Sequence, residues 1–363
     1  MPEHMLYARK LYDQELGYRK GVPKKAGRYF YVSKDAIGFF PPLSTSVKND
    51  HVIVNLIPPF TEKIVLTDYV YHNDKIVDQK PGGRNEFRLY LNSENDPGGD
   101  FFKPGDVVLL DGYKADGEIV YKVYHFPLSK KGAKYAAIDQ FIRKSDMRGL
   151  HALIPAAKMP FIKPEGPTLR HVKVIPVEVA EEVLKEPLQP LPTEILQAEF
   201  EFTNIIRENV FRDLLLYFYD YQCAVTGTVI RYKDLMNLQA AHIIPEQYGG
   251  PTHPRNGLPL SRDLHWAFDM GFFTLSESYE VIVHKNVADN PSMQEIDGRR
   301  ILLPEDKRAW PSLEAIKWHS DRVFGIFSSK SDVSTMRDIE SAGAVRKAMG
   351  SKNTLDQFLG GKE

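Results

Sequence analysis

Residues 238–271 are LQAAHIIPEQYGGPTHPRNGLPLSRDLHWAFDMG, and this stretch decides the fold of the C-terminal half of the chain. Its first part predicts a strand that ends before Pro245, because proline cannot extend the ladder of backbone hydrogen bonds. Gly249-Gly250 then allows a loop. The last part predicts a short helix that begins after Ser261, a good N-cap, and ends before Gly271, which accepts the left-handed conformation.

The same stretch places two histidines and an aspartate where they predict a hydrolytic site. His265 and Asp269 are four residues apart, so they project from one face of the helix and can meet a single cation. His242 lies on the strand across the loop, where a histidine can deprotonate water while a metal stabilises phosphate charge. Taken singly, a histidine such as His242 is more often a hydrogen-bonded core residue than a catalyst. Asp269 alone can cap the helix or pair with Arg262 or Arg255, and Asn256-Gly257 alone is an ordinary turn; only the joint spacing favours the site.

These residues resemble the HNH nuclease motif, the ββα-metal fold, over about residues 205–325. The resemblance implies that His242 is the general base and that Asn256 fixes the loop and orients the histidine. It implies that His265 and Asp269 are the metal ligands of the helix, with His265 part of the catalytic set. The implied cofactor is a divalent metal, magnesium or manganese.

The chain departs from the family pattern at two places. Many members carry Asp or His as a ligand directly before the base, where this chain has Ala241. His242 itself, Gln239, His253 or the DNA can complete the metal shell, and the sequence leaves these alternatives open. Cys223 stands where relatives have the first residue of a zinc-binding knuckle, and it is the only cysteine, so no structural zinc is expected.

The front half of the chain is predicted to be rich in β-strands. Short β-branched and aromatic runs are separated by Pro and Gly turns, which is typical of a barrel or a sandwich. A basic stretch from Lys130 to Arg148 predicts a helix, and residues 172–179 an extended segment. The fold class is therefore α+β. The predicted strands are Arg28–Ser33, His51–Ile57, Lys63–Tyr71, Glu86–Leu91, Val107–Asp111 and Glu118–His125.

This half resembles, over about residues 15–125, the pseudobarrel DNA-recognition domain of EcoRII-type restriction enzymes. The resemblance implies two arms that grip the DNA major groove, one carrying Lys24 and Lys25. The other carries Arg84, Asn85, Glu86 and Arg88, residue types that can read guanine, adenine and cytosine. The alternative is a solvated strand with alternate residues buried. The lysines, together with the basic 130–148 cluster, suit phosphate contacts.

The chain is expected to divide into a recognition domain (1–180), a Pro-rich linker (181–192), a nuclease domain (193–326) and a flexible tail (327–363). Helical spacing over 193–221 makes the connection partly helical. Near the end of the tail, Leu355, Phe358 and Leu359 resemble the anchors of a sliding-clamp-binding peptide. The alternative is an apolar tail that folds back on the domain.

The net charge of −1 does not exclude a nucleic-acid partner, because it is unevenly distributed. Residues 1–180 carry 27 Lys and Arg against 21 Asp and Glu, a net of +6, whereas residues 181–363 carry a net of −7. The absence of an apolar run near ~18 residues excludes a membrane span. The N-terminus lacks the pattern of a signal peptide, so a cytoplasmic location is expected.

The sequence thus predicts a site-specific, type II-like restriction endonuclease that cleaves double-stranded DNA and acts as a homodimer on it. One alternative is a repair or nicking endonuclease recruited by a sliding clamp. The other is a DNA-binding regulator without catalysis, which the alanine at position 241 favours.

Overall fold

The structure is a computed structural model that describes residues 4–19, 22–23, 27–79, 85–115, 118–147, 149–162, 173–186, 188, 201–232 and 235–327. Contacts divide these residues into two compact units. The first comprises Met1–Val183 and Leu196–Val210, and the second comprises Leu184–Ile195 and Phe211–Glu363.

The first unit is built on one large, curled sheet. The strands of this unit are β1 (Met5–Lys10), β2 (Tyr18–Arg19), β3 (Val22–Pro23), β4 (Tyr29–Val32), β5 (His51–Ile57), β6 (Ile64–His72), β7 (Glu86–Tyr90), β8 (Val107–Ala115), β9 (Glu118–Phe126), β10 (His151–Pro155) and β11 (Lys173–Val174). In the described part of the chain nine of them join the sheet in the order β10-β1-β8-β9-β5-β6-β7-β4, with β11 paired to β6. Neighbours are antiparallel except for β5 with β9 and β11 with β6.

The six predicted strands of the front half are present as β4 to β9, with ends shifted by a few residues. β1, which lies between β8 and β10 in the sheet, was not predicted. Its central residues are buried on both faces, so its sequence lacks the polar and apolar alternation that marks a half-exposed strand. The α+β class is confirmed, whereas the pseudobarrel remains a prediction.

Helices complete the first unit. α1 (Asp74–Val77) is a single turn, and α2 (Ala133–Lys144) falls within the basic stretch predicted to be helical. α2 buries Tyr135, Ile138 and Ile142 against apolar side chains of β1, β8 and β10. Three or four residues separate them along the helix, so they share one face, and the basic residues remain on the exposed faces.

A buried polar network lies on the other face of β1. Arg9 forms an ion pair with Glu15, and both side chains are nearly inaccessible to solvent. Its Nη1 donates to Nε2 of His151 at 2.8 Å, while Nδ1 of His151 bonds the hydroxyl of Tyr7. Burial, followed by the charge of Arg9, lowers the pKa of His151 to about 3.

The connection between the units differs from its prediction. α3 (Val177–Lys185) begins directly after Pro176, so residues 177–179 are helical where the sequence predicted extended chain. Val179, Ala180 and Val183 form its buried face, and proline just before a helix is favourable. The helix also covers the first residues of the predicted linker. α4 (Glu201–Phe218) lies within the predicted helical stretch 193–221.

The second unit holds short hairpins and helices around one apolar core. The core includes Phe211 and Leu215 of α4 together with Phe268 and Phe273. Its other elements are β12 (Arg231–Tyr232), β13 (Leu235–Met236), β14 (Leu238–His242), β15 (Gly257–Ser261), α5 (Arg262–Asp269), β16 (Phe273–Leu275), β17 (Val281–Val283), α6 (Pro291–Gln294) and α7 (Leu313–Arg322).

The buried His151 predicts a loss of stability in mild acid. Its folded pKa lies below its unfolded value near 6.5, so the unfolded chain binds the extra proton and stability falls as pH drops from about 6.5 toward 3. Between pH 7 and pH 5 the unfolding free energy of the first unit should fall by about 2 kcal/mol from this group. Urea unfolding of wild type and His151→Gln measures it. Equal losses in both proteins would contradict the assignment.

Candidate active site

The site is built on an antiparallel hairpin followed at once by a helix. β14 pairs with β15 in a register that sets His242 opposite Gly257 and Leu238 opposite Ser261. α5 begins at the next residue, and Gly271 beyond its end has a φ of +72°. The predicted strand, loop and helix are all present, and β15 between loop and helix completes a ββα unit.

Asn256 closes the loop between the two strands. It is fully buried, and its Oδ1 accepts the backbone N–H of Ile244 at 2.9 Å. Its Nδ2 donates to the carbonyls of Ile244 at 2.9 Å and Pro251 at 3.0 Å. Gly250 lies so close to the carbonyl oxygen of Ile244 that a Cβ would stand 1.8 Å from it. The loop therefore leaves β14 directly after His242 along one fixed path.

The imidazole of His242 lies flat against a phenyl ring. Phe211 of α4 stacks on it with ring centroids 4.2 Å apart and planes 23° from parallel. A Cβ on Gly257 would lie 2.6 Å from this phenyl ring, so glycine leaves the room that the ring occupies. Phe211 was not among the predicted site residues, although its spacing of four from Leu215 and seven from Phe218 places it on their helix face.

His265, Asp269 and Gln239 come together on the exposed side of the unit. Nε2 of His265 lies 3.5 Å from Oδ2 of Asp269, and the two side chains are 20% and 17% exposed. Nδ1 of the same ring lies 3.0 Å from Oε1 of Gln239 on β14. The helix pair predicted from the spacing of four is thus formed, and the strand contributes a third side chain.

The donor atoms of this pair fit a divalent cation. Magnesium in proteins commonly takes one or two carboxylates, keeps several waters and takes further oxygens from substrate phosphates. Among the described residues no three His, Cys, Asp or Glu side chains form a group able to hold a metal. Ala241 is fully buried, and His253 is buried with its Nδ1 accepting the N–H of Arg255. His265 and Asp269 would therefore hold the ion together with phosphate and water.

Backbone hydrogen bonds shape the turn where relatives carry a zinc knuckle. The amide of Cys223 donates to the carbonyl of Thr228, and the amide of Gly227 donates back to Cys223 at 2.8 Å. Gly227 has a φ of +70°, which the turn requires. Cys223 itself is buried in the apolar core.

The residues predicted to contact DNA bases fall partly within the described structure. Asn85 is exposed and accepts the hydroxyl of Tyr71 at 2.8 Å. Arg88 is only 7% exposed; it pairs with Glu86 and lies 4.1 Å from the ring centroid of Tyr29. In this structure the guanidinium of Arg88 is therefore turned toward its own domain, and base contact stays a prediction. Lys24, Lys25 and Arg84 lie outside the described residues.

The predicted clamp-binding anchors Leu355, Phe358 and Leu359 also lie outside the described residues. Of the helices that the structure describes, none combines the length and the hydropathy that crossing a bilayer requires.

Comparison with known proteins identifies the nuclease motif. Residues 223–276 match the family described as "HNH endonuclease", and the match contains every predicted residue of the nuclease site. A solved "Modification dependent TagI restriction endonuclease" is similar at 20% identity and a TM-score of 0.27, over 34% of this chain and 40% of that chain. The chain thus spans less than half of that protein, and no curated protein matches it. The match supports nuclease chemistry of the hydrolase class in this segment.

The three side-chain hydrogen bonds of Asn256, called the Asn256 clamp below, predict a loss of unfolding free energy when they are removed. In Asn256→Ala the N–H and carbonyl of Ile244 and the carbonyl of Pro251 lose their partner, and each buried group left unsatisfied costs about 1–3 kcal/mol. We expect the second unit to lose about 3 kcal/mol of unfolding free energy by denaturant titration. Asn286→Ala, an exposed asparagine of the same unit, is the control. An Asn256→Ala protein as stable as this control would refute the clamp.

Proposed function

We propose that the protein is a metal-dependent, site-specific DNA endonuclease of the restriction type. The observation that carries the proposal is the ββα unit, in which a strand histidine, a buried loop asparagine and a helix His/Asp pair stand in one compact arrangement. The match of this segment to the HNH endonuclease family supports the same reaction.

His242 acts as the general base. Its ring is held by the stack on Phe211, and the Asn256 clamp fixes the backbone directly after it. A histidine with one ring nitrogen in acceptor form takes a proton from water, and the resulting hydroxide attacks the phosphorus in line with the leaving oxygen. Rigid placement matters because small displacements of the base lower the rate steeply.

His265 and Asp269 bind the divalent cation, magnesium or manganese. When bound, the ion supplies positive charge that stabilises the phosphate and the departing oxygen. The side chain of His265 is joined to Gln239, three residues before His242 on β14 and so about 10 Å from it along the strand. The proposal requires a scissile phosphate to lie between the base at the end of β14 and the ion-binding pair on α5.

The first unit supplies recognition. Four exposed lysines on or beside α2 offer contacts to DNA phosphates: Lys130, Lys131, Lys134 and Lys144. Such contacts give affinity without sequence information, so site preference falls to the two predicted arms, which contain Lys24, Lys25, Arg84, Asn85, Glu86 and Arg88. Since each chain has one HNH site and a duplex has two strands, double-strand cleavage calls for a homodimer on DNA.

Loss of the base predicts loss of cleavage. His242→Ala should slow plasmid cleavage in the presence of magnesium or manganese by at least about 100-fold, because general-base catalysis contributes that much or more. Single-turnover assays on supercoiled plasmid measure the rate, and a chelator should stop the wild-type reaction.

The matched control for this assay is Asn286→Ala, whose exposed side chain lies outside the site. It should cleave at the wild-type rate. Equal rates for wild type and His242→Ala, or full cleavage in the presence of chelator, would show that the assignment is wrong.

The four exposed lysines on or beside α2, called the basic face, predict a salt-dependent contribution to DNA binding. A variant with Lys131, Lys134 and Lys144 all changed to alanine should bind all duplexes more weakly. The slope of the logarithm of the binding constant against the logarithm of the salt concentration should become shallower by about 0.9 for each phosphate that the variant no longer neutralises. Fluorescence anisotropy over a salt series measures both. Lys103→Ala is the control, because its ammonium group already lies 2.8 Å from Asp100. An unchanged slope in the triple variant would exclude this face.

A further inference from the structure

Gln239 makes a contact that its position does not require. It is the second residue of β14 and its side chain is exposed, so many residue types would serve the strand equally well. Its amide oxygen nevertheless lies 3.0 Å from Nδ1 of His265 on the adjoining helix. The contact ties the strand to one member of the helix pair.

The register explains why this side chain reaches the helix. Residues 239 and 241 lie on the same face of β14, because successive side chains alternate between the two faces of a strand. Ala241 is fully buried and contributes only a methyl group. Gln239 is therefore the polar side chain on this face of β14, and it contacts the helix pair through His265.

We propose that Gln239 is a positioning residue that holds His265 with its Nδ1 protonated and its Nε2 directed toward a divalent cation. This inference rests on the proposed function of the site. An amide oxygen accepts a hydrogen bond, so its contact with Nδ1 places the proton there and leaves the lone pair of the neutral ring on Nε2.

The other nitrogen of the ring faces a carboxylate. Nε2 lies 3.5 Å from Oδ2 of Asp269, which is longer than an ordinary N–H···O hydrogen bond, whereas Nδ1 lies 3.0 Å from Gln239. The hydrogen bond from Nδ1 to Gln239 thus selects the ring state that suits a shared metal ion. Metal-bound histidines are generally oriented in this way, by a partner on the nitrogen that does not face the metal.

This role separates Gln239 from a direct ligand. Its oxygen contacts Nδ1, whereas Asp269 contacts Nε2, so the amide stands on the side of the ring away from the carboxylate. Gln239 therefore supports the two-residue set of the helix and does not supply the ligand that relatives carry at the position of Ala241.

Calorimetric titration of the full-length protein with manganese tests the proposal directly. Gln239→Ala should raise the dissociation constant about 10–100-fold. Gln239→Glu, which keeps an acceptor oxygen, should bind manganese at least as tightly as wild type. His265→Ala should lose the binding, and Gln294→Ala, an exposed glutamine of the same unit, should not change it.

A second readout needs no metal. Long-range nitrogen–proton NMR spectra of the metal-free protein distinguish the two histidine tautomers, and the His265→Ala spectrum assigns the signal. Wild type and Gln239→Glu should show His265 protonated on Nδ1, and Gln239→Ala should shift it toward Nε2.

The outcomes separate this inference from the proposed function. If Gln239→Ala binds manganese like wild type and keeps the same tautomer while His265→Ala has lost the metal, the role of Gln239 is wrong and the proposed metal site stands. If wild type does not bind manganese, or His265→Ala binds it like wild type, both are wrong. An equal loss in Gln294→Ala also overturns the role of Gln239.

Discussion

The buried amide of Asn256 is the constraint on which the site depends. Two of its three hydrogen bonds join Asn256, just before β15, to the backbone of Ile244, just after β14, and the third holds the carbonyl of Pro251 within the loop. The loop therefore cannot change its path without leaving polar groups unsatisfied. The hairpin register follows, and with it the position of His242 opposite Gly257. The absence of a side chain at that glycine admits Phe211, whose ring supports the histidine.

In this arrangement the proposed base and the proposed metal ligands lie on different elements of one small motif. The end of β14 carries the proton acceptor, and α5 carries the oxygen and nitrogen donors for an ion. Most of the metal's coordination sphere is left to phosphate and water, which suits a magnesium-type ion. The partial exposure of His265 and Asp269 is consistent with a site that must admit DNA.

Local patterns in the sequence predicted the ends of the motif, whereas features that depend on tertiary contact were missed. Pro245 and Gly271 lie just beyond the ends of β14 and α5, where local backbone restrictions place them. Ser261 takes the predicted N-cap position with an extended backbone, but its side chain makes no capping hydrogen bond. β1 was not predicted because both of its faces are buried, including the charged Arg9, so no alternation of polar and apolar residues marks the strand. The stack of Phe211 on His242 joins residues 31 positions apart, and no local pattern signals such a pairing. The contact of Gln239 with His265 depends likewise on how the helix packs against the strand.

The central claim is that the Asn256 clamp acts on the chemistry through His242. A double-mutant cycle on the single-turnover cleavage rate tests it, with His242→Ala and Asn256→Ala measured alone and together at a temperature where all three variants are folded. If the clamp serves to place the base, the double variant should cleave no more slowly than His242→Ala alone. Losses that multiply in the double variant would contradict the account, because Asn256 would then act on cleavage independently of the histidine.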